Sequence, residues 1–158
     1  MLATTIENYE FWEIFLHPWF WAGLGGWIIA SCIKMLIAAI KTKKFDFEYL
    51  VSTGGMPSSH SATVSALATA IGFTEGFGTP IATLAVCLAI ITMFDASTVR
   101  RAAGEHARVL NAIIQDIKAA QLKPFKRLKE LLGHTPIEVF GGCATGIVWA
   151  TLLCYLWR

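Results

Sequence analysis

The chain has 158 residues, of which 55% are hydrophobic and 15% charged, with six Trp and a net charge of +2. Soluble domains carry about 25% charged residues, and the few here are clustered: residues 14–33, 49–74, 76–94 and 139–157 contain no Asp, Glu, Lys or Arg. A bilayer core takes about 20 apolar residues as helix, so the composition argues against a soluble domain and for a membrane bundle.

The first helix is expected from about Ile14 to Ile40. Glu7, Glu10 and Glu13 precede it, and Trp19, Trp21 and Trp27 lie within it. A cleavable signal has basic residues before a short apolar region, so this is expected to be a retained helix with an aromatic belt. The basic loop "KTKKFDFEY" follows. The second helix is expected from Ser59 to about Phe73, where "TEGFGTP" interrupts it, and the third from Pro80 to about Asp95. A polar excursion, residues 97–133, repeats Val99, Ala102, Ala103, Ala107, Leu110, Ile113, Ile114 and Ile117 at helical spacing. It then passes Pro124 into the basic, amphipathic "KPFKRLKELL", a composition suited to an anionic lipid surface. The last helix takes residues 136–157. Cys32, Cys87, Cys143 and Cys154 all lie in apolar runs without a C-x-x-C pair and are expected to pack as small hydrophobes.

This layout is an all-α, polytopic membrane helical bundle of about four membrane-inserted helices with a cytoplasmic amphipathic segment, forming one domain over residues 1–158. The short turn between the second and third helices makes them an antiparallel hairpin. On that path every one of the 13 basic residues except Arg158 falls on one side, and Glu7, Glu10, Glu13 and Glu75 fall on the other. The basic side marks the cytoplasm, which leaves the N-terminus outside.

Three polar clusters meet on the cytoplasmic side: "GGMPSSH" before the second helix, "DASTVRR" after the third and "GHTPIE" before the fourth. Lys34, near the end of the first helix, joins them, although a lysine there also has the option of snorkelling to the interface. Ser58 or Ser59 is a candidate N-cap, and helix N-termini favour anions. Thr135, Pro136 and Glu138 have the spacing of a capping box with proline at the first helical position. Arg100 and Arg101 lie beside Asp95, and guanidinium groups so placed pair with a carboxylate or a phosphate. Two histidines, His60 and His134, complete a set suited to binding a phosphate and transferring it.

The clusters resemble the type 2 phosphatidic acid phosphatase family, which is related to vanadium-dependent haloperoxidases, and most closely its divergent bacterial and plant branch. "GGMPSSHSA", "DA" followed by "VRRAAG" and "LN", and "KELLGHTPIEVFGG" carry the resemblance in order, from Lys34 to Gly142. "PSSH" stands for the family's P-S-G-H, with Ser59 at the glycine. "HTPIE" stands for H-x3-D, with Glu138 at the aspartate. Leu128 occupies the place of the family's last arginine, and Lys41 and Thr42 stand where the first motif has Arg and Pro. The resemblance implies phosphoryl transfer from a lipid phosphate without metal or cofactor, in a bacterial inner membrane. His134 would be the nucleophile, Glu138 its orienter and His60 the proton donor. Lys34, Ser58, Ser59, Arg100 and Arg101 would hold the phosphate oxygens, supported by Gly55, Asp95 and Thr135. Expected partners are the lipid substrate and the surrounding lipids, with no nucleic acid, and a homo-oligomer is compatible. The alternative is a catalytically degenerate relative that binds anionic lipid or a partner protein.

Overall fold

The structure, a computed structural model, describes residues 11–43, 55–119 and 133–157, without the side chains of Arg100 and residues 116–119. The described chain is all helical. A 3-10 turn over Phe11–Leu16 leads into α1 (Pro18–Thr42), followed by α2 (Ser59–Glu75), α3 (Pro80–Ser97), α4 (Val99–Ala119) and α5 (Pro136–Leu156). Most of the expected basic loop, the "KPFKRLKELL" segment and Arg158 lie outside the described residues.

The boundaries follow local chemistry. α1 starts at Pro18 rather than Ile14, because proline lacks the N–H that a first turn leaves unused and already has a helical φ. Ser58 caps α2, accepting from the amide (3.3 Å) and the hydroxyl (3.1 Å) of Ser61. α2 ends at Gly76, whose φ of 93° is a conformation that side chains disfavour. Thr79 then caps α3, accepting from the amide of Ala82 at 3.4 Å.

The core is made of small residues. Among the described residues, every buried hydrophobic one apart from Ile71 is alanine, whereas Leu84, Ile91, Phe94, Phe140 and Leu156 are exposed. In water this distribution would be inverted. In lipid it is favourable, since large apolar side chains meet the hydrocarbon while small ones let helices approach closely. Among the described residues, three stretches are long and apolar enough to cross a membrane: Pro18–Thr42, Pro80–Gln115 and Pro136–Leu156. α2, the remaining one of the four expected, has 17 residues, about 25 Å of helix, and lies between α1, α3 and α5 as the central helix. The expected break after the third helix is slight. Thr98 separates α3 from α4, yet its N–H reaches Phe94 (3.0 Å) and its carbonyl accepts from Ala102 (2.9 Å).

Close contacts set the directions. Trp19 at the start of α1 donates its indole N–H to Thr74 at the end of α2 (2.6 Å), so the two run antiparallel. A Cβ on Gly26 would meet Ala62 O at 2.9 Å. α5 lies parallel to α2: Gly142 sits against the backbone of Ser58, Gly146 against Ala62 and Ala66, and Ala150 in a cluster with Ala66 and Ala70. The Ser65 hydroxyl ties the two helices by donating to Cys143 O at 3.1 Å. The end of α1, the starts of α2 and α5 and the end of α3 therefore meet at one pole of the bundle.

Candidate functional site

His134 immediately precedes the cap of α5. Its main-chain N–H donates to Ala96 O near the end of α3 at 3.0 Å, and the Ser58 N–H donates to Glu138 O at 3.0 Å. The N-terminus of α5 is thereby attached both to the end of α3 and to the start of α2. The capping box is complete: the Glu138 amide donates to Thr135 Oγ1 at 3.4 Å, and Glu138 Oε2 accepts from the Thr135 amide at 2.9 Å.

The same Oε2 lies 3.2 Å from His134 Nδ1. An ionised carboxylate only accepts, so the proton of this contact is on Nδ1. His134 is 1% exposed, and Glu138 both closes the helix end and sets the ring's tautomer.

His60, on the first turn of α2, is half-buried. Its ring centroid lies 6.2 Å from that of His134 with the planes inclined at 62°, an edge-to-face approach. Lys34 of α1 is 3% exposed. Gly55, at φ 96°, lies over the Lys34 stem, where a Cβ would come within 3.3 Å of Cγ. Ser58 and Ser59 are buried, with Ser58 acting as the cap. First-turn amides lie outside a helix's own ladder, and two such turns meet here.

Of the sequence-predicted residues, His60, His134, Glu138, Thr135, Lys34, Gly55, Ser58 and Ser59 belong to this pole. Asp95 is half-buried near the end of α3, one residue from the carbonyl that receives His134. Arg101 is exposed on the first turn of α4. Arg100 is placed on the same turn, its side chain outside the described residues. Two participants escaped the sequence reading. One is Ser61, whose hydroxyl supports Ser58. The other is Ala96, which contributes only a carbonyl and so leaves no side-chain signal.

Residues 15–149 match the profile of the Divergent PAP2 family. The chain belongs to that family. It is also 44% identical over 145 residues, 85% of this chain and 92% of the other, to "Uncharacterized membrane protein YuiD" of Bacillus subtilis (strain 168). No solved structure matches. The protein is thus a PAP2-related membrane protein, and the pole is where the polar motif residues of this Divergent PAP2 chain meet.

Proposed function

We propose that the protein is a membrane phosphatase that hydrolyses a lipid phosphomonoester or pyrophosphate through a phosphohistidine at His134. The observation that carries this reading is the pairing of two imidazoles from separate helices, centroids 6.2 Å apart, at a pole that also buries Lys34. A buried ammonium is costly without a counter-charge. An ammonium at such a pole is suited to holding a phosphate oxygen.

His134 Nε2 attacks phosphorus as the bond to the leaving oxygen breaks, and Nδ1–H stays on Glu138. His60 protonates the departing oxygen. Water, deprotonated by the now neutral His60, then attacks the phosphohistidine, releasing phosphate and restoring the ring. Lys34, the Ser58 and Ser59 groups and the first-turn amides stabilise charge on the equatorial oxygens, a contribution of about 2.7–4 kcal/mol for each donor in comparable sites. The rings touch edge to face, so one must turn to admit the phosphoryl group.

On this reading the site faces the cytoplasm from the inner membrane. Exposed Lys41 and Lys43 lie at this end of α1, while Glu13 and Glu75 lie at the other; basic residues favour the cytoplasmic side. The exposure of Arg101, together with Leu128 at the family's arginine position, favours a second reading, in which the pole binds anionic lipid without turning it over.

The test is phosphate release from a panel of lipid phosphates in mixed micelles. His134→Ala and His60→Ala are expected to abolish release while insertion persists. Retained activity in either variant would refute that histidine's role, and binding without release by the unaltered protein would establish the second reading.

A further inference from the structure

Ser31 lies on α1, three residues before Lys34. It is 1% exposed, and its Oγ has no hydrogen-bond partner. A serine inside a helix ordinarily satisfies its hydroxyl on the carbonyl four residues back. Thr42, Thr63, Ser65, Thr74, Thr145 and Thr151 all do so here. Ser31 does not, and in hydrocarbon an unsatisfied polar group has no water to turn to.

Its position relates it to the site. Successive helix residues turn by about 100°. Gly25 of α1 meets Trp149 of α5, and Gly23 and Gly26 meet α2. Ser31 and Lys34 therefore lie on the flank of α1 turned away from α5. On α2, Ser58, Ser61 and Ser65 are the residues that approach α5. Ser59 and His60 project to the side away from it, near Thr63, which meets Gly23. In register, Gly26 lies against Ala62 and Ala66 and Lys34 against Gly55, so Ser31 lies between them in height, level with the first turn of α2.

Depth suggests the ligand atom. Ser31 lies about 4.5 Å nearer the bilayer centre than Lys34. The polar layer on each side of the hydrocarbon is about 5–7 Å thick, with phosphates in it and acyl ester carbonyls at its inner edge. We infer that Ser31 is a positioning residue whose hydroxyl donates to an ester carbonyl of an acylglycerol phosphate while Lys34 holds the phosphate. This rests on the phosphatase reading for the phosphate's location. A prenyl phosphate carries no such carbonyl and leaves the hydroxyl unsatisfied.

The experiment measures binding of non-hydrolysable phosphonate analogues of diacylglycerol phosphate and of its dialkyl ether in mixed micelles, alongside phosphate release from the two parent lipids. The unaltered protein is expected to bind the diacyl compound about tenfold more tightly. Ser31→Ala is expected to erase that preference and Ser31→Thr to restore it, with the change in KM rather than kcat. The inference is overturned if the unaltered protein shows no preference, if Ser31→Ala keeps it, or if neither analogue binds. A Ser31-dependent preference without phosphate release would sustain it while removing the phosphatase reading. Phosphate release with a preference indifferent to Ser31 would do the reverse.

Discussion

Glu138 offers the sharpest separation of structure from chemistry, because one oxygen serves both. Oε2 accepts from the Thr135 amide at 2.9 Å and lies 3.2 Å from His134 Nδ1. In Glu138→Gln the amide oxygen can still accept from Thr135, since glutamine also completes a capping box. Stability should therefore stay within about 0.5 kcal/mol of the starting protein. The missing negative charge acts on His134 when phosphorylation makes its ring cationic. A charge-assisted hydrogen bond contributes about 1.5–3 kcal/mol against about 0.5–1.5 for a neutral one, a difference of about 1.4 kcal/mol. That corresponds to a kcat about tenfold lower. Glu138→Ala loses the cap as well and should unfold about 1 kcal/mol more easily, with a larger loss of kcat. Initial rates of phosphate release from a lipid phosphate, with thermal unfolding in the same detergent, measure both quantities. An unchanged kcat in Glu138→Gln, with His134 otherwise essential, would refute the argument that this carboxylate stabilises the ring.

Two other substitutions probe the bundle and its buried charge. Gly142→Ala places a Cβ against the Ser58 backbone and 2.9 Å from Ser61 Cβ. Backbone cannot give way as a side-chain tip can, so α2 and α5 must separate; a loss of about 1–3 kcal/mol is expected, together with activity, and thermal unfolding measures it. Lys34→Met keeps the volume and removes the charge. KM for a lipid phosphate should rise at least about tenfold, and an unchanged KM would mean that the lysine does not hold the phosphate.

Some of this site is visible in a line of letters, and the reason is the range of the interactions. The Thr135–Pro136–Glu138 cap, the Ser58 cap and the start at Pro80 are hydrogen-bond patterns within one turn, so spacing alone identifies them. The helix spans are legible for a similar reason: membrane thickness demands a minimum apolar length. The pole itself could be anticipated because the turns alternate the chain between two sides. The fate of Arg101 could not, since exposure depends on how α4 leaves α3, and a single residue, Thr98, bends that junction only slightly. The interior placement of α2 was equally hidden, because a short run of Ser and Ala has no distinctive periodicity.

Membrane residence, approximate helix ends, the Divergent PAP2 motifs and the local caps were thus inherent in residue order, because each depends on composition or on neighbours within a few positions. The lateral arrangement came from packing in three dimensions. Lipid tails are as apolar as leucine, so hydrophobicity does not choose which helix faces which. The glycines at 26, 142 and 146 make that choice by letting α1 and α5 close on α2. That closure brings the ring centroids of His60 and His134 to 6.2 Å.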